Sequence, residues 1–250
     1  MKVALIDADV LVFQAAVVAE KATDWGDGVW TLHADEGDGE RIVRQSVITL
    51  QEKTGADKVI LAFSDEENWR KAILPTYKAN RAGSRQPIIR AHLKRWASDE
   101  YESFTRPTLE GDDVLGILAT RKGKPGENFI VCSIDKDMRT IPGTHFNFGK
   151  NEEFVVTEEE ADYWHLFQTL TGDPVDGYAG CPGIGPVAAK KILDKSPTWG
   201  AVVSAYDKAG FGEEEALVQA RVARICRAED YNFRQKQVIL WTPPASSVGQ

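Results

Sequence analysis

The sequence predicts an α/β fold built on parallel strands, followed by a smaller, mainly helical region. Three observations carry this. Short apolar runs at residues 3–6, 59–63 and 129–134 read as buried strands. The stretches between them contain helical spacing and are long enough to cross back over a sheet, which makes the strands parallel. Beyond about Thr157 the chain turns to helical patterns and tight glycines.

Taken in order, the first strand ends in Asp7-Ala8-Asp9, and residues 10–19 are apolar enough for a helix packed on the sheet. Glycines and acids over residues 25–39 suggest a loop or small hairpin, with Val29-Trp30-Thr31-Leu32 as a brief strand and no chemistry attached to it. Val43, Val47 and Leu50 recur at helical spacing over residues 41–53, and Gly55 stops that helix. The second strand ends at Ser64-Asp65 and the third in Asp135-Lys136-Asp137, where residues two apart on an extended chain share a side. A helix over residues 158–170 points Trp164, Phe167 and Leu170 inward, as core rather than as base-stacking platforms. Asp173 and Asp176 follow, three residues apart. The glycine-rich turn Gly180-Cys181-Pro182-Gly183-Ile184-Gly185-Pro186 then leads into a helix carrying Ala188, Ala189, Ile192 and Leu193. Free amides at such a helix start offer an anion site. Residues 243–250 read as a frayed tail.

Composition narrows the class. The 250 residues allow one large domain or a catalytic domain with an appendage, and 42% hydrophobic with 27% charged residues describes an ordinary globular protein. Cys132, Cys181 and Cys226 are odd in number and form no Cys-x-x-Cys pair, which argues against a disulfide framework and a zinc site. The first apolar run is too short for a signal peptide and no later stretch approaches a membrane span, so a reducing cytoplasm is the expected setting. Charge is segregated. From Arg70 to Arg95 there are eight Lys and Arg and no Asp or Glu, so a net charge of −8 leaves −16 on the remainder. So one-sided a run reads as a polyanion-binding strip.

The chemistry centres on Leu109-Glu110-Gly111-Asp112-Asp113-Val114, three carboxylates in four positions before an apolar helix. As a first helical turn it puts Glu110 and Asp113 on one face at the favourable end of the dipole. Val114, Ile117 and Leu118 bury that helix, so the acids stand at its lip and repel one another unless a cation sits among them. Oxygen ligands without nearby His or Cys point to Mg²⁺ or Mn²⁺. All three strands also end in carboxylate, at the sheet edge where open α/β folds bind ligands.

Seven motifs in register, Ile6-Asp7-Ala8-Asp9, Phe63-Ser64-Asp65, Tyr77-Lys78-Ala79-Asn80-Arg81, Glu110-Gly111-Asp112-Asp113, Ser133-Ile134-Asp135-Lys136-Asp137, Gly172-Asp173-Pro174-Val175-Asp176 and Pro182-Gly183-Ile184-Gly185, resemble the structure-specific 5′ nuclease (flap endonuclease) family along nearly the whole chain. Asn68-Trp69-Arg70-Lys71, Trp164-His165-Leu166-Phe167-Gln168, Tyr231-Asn232-Phe233 and Leu240-Trp241 are most similar to the 5′→3′ exonuclease of short-tailed bacteriophages. The resemblance implies a mostly parallel central sheet with helices on both faces, of the 5′ nuclease or PIN-like type, and a helix–hairpin–helix-like region. It places a catalytic domain at residues 1–156, with a helical arch over about 66–105, and a DNA-binding region at 157–250, with the hairpin over about 170–195. Two Mg²⁺ ions are implied, Mn²⁺ substituting, with K⁺ at the hairpin. Asp7, Asp65, Glu110, Asp112 and Asp113 match the first metal site; Asp135, Asp137, Asp173 and Asp176 match the second. Asp9 lies outside the family pattern. Lys78 and Arg81, with Asp112 and Asp113, match the catalytic residues, and Lys78, Arg81, Arg85, Gly183, Gly185, Lys190 and Lys191 the DNA-binding ones. Val187 stands where relatives carry Lys, leaving Lys190 and Lys191 as its substitutes. The implied substrate is double-stranded DNA with 5′ ends or flaps, and RNA in RNA–DNA hybrids, cut by a monomer.

Two rivals remain at this level. Leu5-Ile6-Asp7-Ala8-Asp9-Val10 also resembles the opening of haloacid-dehalogenase-type phosphatases, in which Asp7 would be a covalent nucleophile. That scheme has no use for Asp135, Asp137, Asp173, Asp176 or the glycine hairpin. A non-catalytic DNA-binding module would keep the hairpin but predicts missing ligands, and every matched acidic position is filled.

Overall fold

The computed structural model describes residues 1–244. In chain order its elements are β1 (Lys2–Asp7), α1 (Ala8–Ala19), β2 (Glu20–Asp24), β3 (Trp30–Ala34), α2 (Glu36–Thr54), β4 (Lys58–Ala62), α3 (Arg70–Ile73), α4 (Arg90–Glu100), β5 (Ser103–Phe104), α5 (Gly111–Thr120), β6 (Asn128–Cys132), β7 (Gly143–Asn147), β8 (Glu152–Val156), α6 (Glu158–Thr171), α7 (Pro186–Lys195), α8 (Trp199–Lys208), α9 (Gly212–Ala223), β9 (Tyr231–Asn232) and β10 (Gln237–Val238). The main sheet has the order β5-β4-β1-β6-β7-β8, with every pair parallel except β7–β8.

A central parallel strand must be apolar on both sides, and β1 shows why. Ala4 and Ile6 pack with Val12, Val43 and Leu93, so α1, α2 and α4 cover one face. Val3 and Leu5 pack with Leu115 and Leu118, so α5 covers the other. Beyond α6 a separate core forms around Leu170, Leu193, Tyr206 and Ala216. The chain does not stay there: Ile225, Cys226 and Tyr231 return to the α5 face of the sheet.

The additional strands lacked a pattern that sequence could show. β5 has two residues, while β7 and β8, the last two strands on one side of the sheet, are short and mix polar with apolar residues. The loop or small hairpin expected over 25–39 is a hairpin, in which β3 (Trp30–Ala34) takes up the expected brief strand and pairs with β2 just before the segment; its end is the first turn of α2, which starts early because Asp35 caps it, accepting from Asp38 N–H at 2.8 Å. Gly39 misleads here; inside α2 it gives room to α4's approach, since a Cβ would lie 2.5 Å from Ile89 Cδ1. Of the tail expected over 243–250, residues 245–250 lie outside the described residues. Among the described residues, no helix is long and apolar enough to cross a membrane.

Candidate active site

The carboxyl ends of β1, β4 and β6 lie side by side, and α5 starts against them, so the backbone brings Asp7, Asp65, Asp112 and Asp135 to one edge. Asp7 both ends β1 and caps α1, accepting from Val10 N–H at 3.3 Å. It is 3% exposed and also accepts from Ser133 Oγ at 2.7 Å. Burial, with Asp9 and Asp135 adding to it, pushes its carboxyl up from 3.8 to about 6 against the pull of those hydrogen bonds. Asp112 is the most exceptional acid. It makes no side-chain hydrogen bond or ion pair among the described residues, and burial together with Asp7, Glu110 and Asp135 raises it far above the carboxylate range, although Lys78 opposes them.

Glu110, Asp137, Asp173 and Asp176 are instead held by the protein's own cations. Glu110 accepts from Lys78, from Arg70 Nη1 at 2.9 Å and from Tyr77 OH at 2.9 Å. Burial would raise it, but Arg70 and Lys78 bring it below its ordinary value. Asp176 receives Arg81 and Tyr77 OH, with Lys78 at 3.5 Å. Asp173 pairs with Lys136 at 2.8 Å. Asp137 accepts from Gln168 Nε2 at 2.6 Å, and burial and Asp135 lift it to about 6. Asp135 and Asp137 do not share a side of an extended chain as expected. Asp135 instead caps a 3₁₀ turn (Lys136–Thr140) by accepting from Asp137 N–H at 2.8 Å.

Two expected ligands are placed differently. Asp113, assigned to the first metal site and to catalysis, is 0% exposed. Its oxygens take Arg70 in a bidentate pair at 2.8 Å, Trp69 Nε1 at 3.0 Å and Cys226 N–H at 3.0 Å. That leaves it an anchor for Arg70, because a carboxylate with its lone pairs so committed has nothing left for a cation. Asp65 turns one oxygen to Thr108 N–H at 2.7 Å and ties down the segment before α5. Among the described residues no group of three or more His, Cys, Asp or Glu side chains is arranged to hold a metal ion as it stands. The reason is visible: Lys78, Arg81, Arg70 and Lys136 sit where the charge needs neutralising.

Lys78 comes to the acids through a left-handed backbone (φ 52°) and an N–H bond to the Asp176 carbonyl at 2.7 Å. Arg81 follows one turn later, half-exposed. Arg85 forms a bidentate pair with Glu20 at 2.7 and 2.8 Å, away from the acids. The hairpin residues are distant in role: Gly183 is in open space at φ +79°, and Gly185 caps α7 with Pro186 at its first position. Gly172 and Gly180 close that loop, since a Cβ on either would lie within 2.4 Å of the facing backbone. Lys190 pairs with Asp194 on the same helix, and Lys191 has no ion pair among the described residues.

Arg70, Tyr77, Ser133, Lys136 and Gln168 were missed as site residues by sequence reading. Trp69-Arg70 and Phe167-Gln168 stood inside motifs used only for likeness, and Arg70 was counted with the basic strip, although three acids predicted to need a cation were a signal to look for one within the chain. Asp9, left outside the ligand set, accepts from Ser64 N–H at 2.6 Å and faces Arg90 and Lys94 at 3.6 Å, tethering α4.

The site stores instability. A carboxyl that titrates near 6 in the fold and at 3.8 when unfolded is stabilising as the acid, and loses that stability as pH rises through 6. Asp7→Asn, which can still cap α1, is expected to gain up to about 3 kcal/mol at pH 7 and little at pH 3.5. Denaturant melts in chelator at both pH values check this; a loss at pH 7 would refute it.

Residues 2–163 match the family model for the 5′-3′ exonuclease N-terminal, resolvase-like domain. The exodeoxyribonuclease of Enterobacteria phage T3 is 34% identical, over 96% of this chain and 92% of that protein. The exonuclease of Escherichia phage T7 is 33% identical, over 96% and 93%. The solved structure of T5 D15 protein co-crystallised with metal ions superposes with a TM-score of 0.68 over 89% of each chain, at 15% identity, a likeness of fold.

Proposed function

The chain belongs to the 5′-3′ exonuclease family, and on that premise we propose that it is a metal-dependent 5′→3′ exonuclease and flap endonuclease that hydrolyses DNA phosphodiesters. The observation that carries this is Asp112: a half-buried carboxylate with no cation paired to it among the described residues, crowded by Asp7, Glu110 and Asp135 at the ligand-binding edge of a parallel sheet. Such a group is unstable as a structural feature and intelligible as a waiting ligand.

The oxygen-only donor set fits hard divalent cations, Mg²⁺ with Mn²⁺ as substitute. Asp7, Glu110 and Asp112, with Asp65 nearby, would hold one, and Asp135, Asp137, Asp173 and Asp176 a second. Bound there, two such ions supply an activated water and neutralise the charge on the leaving oxygen, leaving 3′-hydroxyl and 5′-phosphate ends. The chain's own residues do the rest. Lys78 and Arg81 neutralise Glu110 and Asp176 in this structure, and a scissile phosphate gives the same cations a second partner. Of residues 66–105, expected as the arch, residues 66–89 are the candidate basic arch that brings Lys78 and Arg81 to the acids, whereas α4 packs on the sheet and β5 joins it. Residues 157–223 are the candidate duplex-holding region, shorter than the expected 157–250 because Ile225, Cys226 and Tyr231 return to the α5 face of the sheet, with the amides around Gly183 and Gly185 on a phosphate and K⁺ as a candidate ion there. The substrate is duplex DNA with 5′ ends or flaps, with RNA–DNA hybrid as a further candidate; the setting is the cytoplasm, the host's for a phage-encoded chain. A phosphatase with Asp7 as covalent nucleophile fits poorly, because Asp7 is buried beneath Ser133. End-labelled 5′-flap, blunt duplex and RNA–DNA hybrid, with Mg²⁺ and with chelator, test the reading. Full activity in chelator overturns it.

Basic residues at the two ends of the site should behave differently. Lys78→Ala is expected to lower single-turnover cleavage at saturating enzyme by roughly two to three powers of ten, because a positioned cation acts where charge grows. Lys190→Ala/Lys191→Ala should spare that rate. It should weaken duplex affinity and flatten its salt dependence by about one unit of slope for each phosphate no longer held. Normal cleavage by saturated Lys78→Ala would reduce Lys78 to a tether.

A further inference from the structure

Gln168 occupies a place where an apolar side chain would be expected. It lies on the inner face of α6, 8% exposed, and its Nε2 donates to Asp137 Oδ1 at 2.6 Å. A carboxylate only accepts, so this bond fixes which way the amide points. Its Oε1 is thereby turned the other way, buried, with no donor among the described residues. An orphaned buried acceptor costs about 1–3 kcal/mol and calls for a partner that the protein does not supply.

The surroundings say what that partner is. Gln168 and Asp137 line a cavity of about 20 Å³ together with Glu110, Asp112, Asp176 and Tyr77, room for about one water. Its polar walls are these four carboxylates and Gln168, with Arg70 and the hydroxyls of Tyr77 and Tyr178 as the donors, of which the Arg70 guanidinium and the Tyr77 hydroxyl are already engaged by Glu110, Asp113 and Asp176. A lone water would find several oxygens competing for its two protons. A water belonging to the hydration shell of a divalent cation is a stronger donor, and Mg²⁺ characteristically retains such waters.

We propose that Gln168 is a positioning residue of the metal-dependent site, holding Asp137 through Nε2 while Oε1 accepts a hydrogen bond from a water of the cation's hydration shell. The inference rests on the nuclease reading above. It makes Gln168 the link through which α6 sets the geometry of the acidic edge, a role of the kind played by residues that orient ligands from behind.

The test is Mn²⁺ binding to the DNA-free protein, followed by electron paramagnetic resonance, for wild type and Gln168→Met. Methionine fills the same space without either polar contact. The expected result is an affinity about 10- to 100-fold lower, with the melting temperature in chelator unchanged or raised. The Mn²⁺ concentration for half-maximal single-turnover cleavage should move by the same factor, with the rate recovering at saturating Mn²⁺. A purely structural glutamine would instead lower the melting temperature and leave the Mn²⁺ curve in place, and that result overturns the proposal. If Gln168→Met unfolds at the assay temperature, Gln168→Asn, whose amide is withdrawn by one methylene, takes its place; wild-type Mn²⁺ affinity in that variant also overturns it. Failure of the underlying reading is distinguishable, since wild type itself would then bind no Mn²⁺ and leave a 5′ flap uncut.

Discussion

Asp112→Asn is expected to abolish cleavage of a 5′-flap substrate, by about 10³-fold or more, while the folded protein becomes more stable. The two effects have one cause. In the fold Asp112 is surrounded by Asp7, Glu110 and Asp135, and burial raises its carboxyl well above the ordinary value. A carboxyl raised by folding contributes stability below its unfolded value, and loses it as pH rises through the folded one, so at pH 7.5 the ionised group is a burden. Asparagine lifts that burden and takes away a ligand. Thermal melts in chelator should therefore show the variant above wild type at pH 7.5 and level with it near pH 3.5. In Mg²⁺ the order should narrow or reverse, because only wild type gains from binding the ion. A variant that melts lower than wild type at pH 7.5 in chelator would make Asp112 a structural acid. A variant that still cuts would remove it from the chemistry.

How much of this could be read beforehand follows from what kind of contact each residue makes. The strands at 2–7, 58–62 and 128–132 were legible because both faces of a central parallel strand are buried, which leaves an uninterrupted apolar run. The acids that close them were legible too, since topology alone carries Asp7, Asp65 and Asp135 to one edge. β7 and β8 carry Thr144, His145, Glu152 and Glu153, so no uninterrupted apolar run marks them even though His145 and Phe146 are buried. The site's partners were harder. Spacing can say that Glu110 and Asp113 share a helix face. It cannot say that Asp113 turns to Arg70, which is 43 residues away, while Asp112 between them is left without a cation. The need for neutralisation was read correctly, but the sequence did not reveal that the protein supplies much of it from Arg70, Lys78, Arg81 and Lys136.

Arg70→Met should be the most damaging single change to the fold, lowering the melting temperature by about 10 °C or more. Arg70 is 2% exposed and engages every guanidinium nitrogen. Nε donates to the Val222 carbonyl at 2.9 Å, Nη1 to Glu110 and Asp113 at 2.9 and 2.8 Å, and Nη2 to Asp113 at 2.8 Å and the Arg224 carbonyl at 2.6 Å. One side chain thus ties the basic segment, the start of α5 and the end of α9 together. Removing one partner of a buried ion pair costs about 3–5 kcal/mol, chiefly because Asp113 is left charged in the interior. Burial alone would raise Asp113, and it is Arg70 that keeps it below the usual carboxylate value, so the stability it lends is present above pH 3.8 and lost as pH falls through the folded value. Asp113→Asn in the Arg70→Met background should recover part of the loss, because the stranded charge is gone. The same Asp113→Asn in the wild-type background should be harmful, leaving Arg70 with one full counter-charge, Glu110. The two changes together should therefore cost clearly less than the sum of each alone, a coupling that only contacting residues show. Hydrogen exchange gives a local readout, since Cys226 N–H donates to Asp113 at 3.0 Å and should exchange faster once Asp113 is released. If Arg70→Met melts within about 2 °C of wild type, or if the two substitutions prove additive, α9 is held to the catalytic core by packing of Ile225 and Cys226 on α5, and the guanidinium is dispensable to the fold.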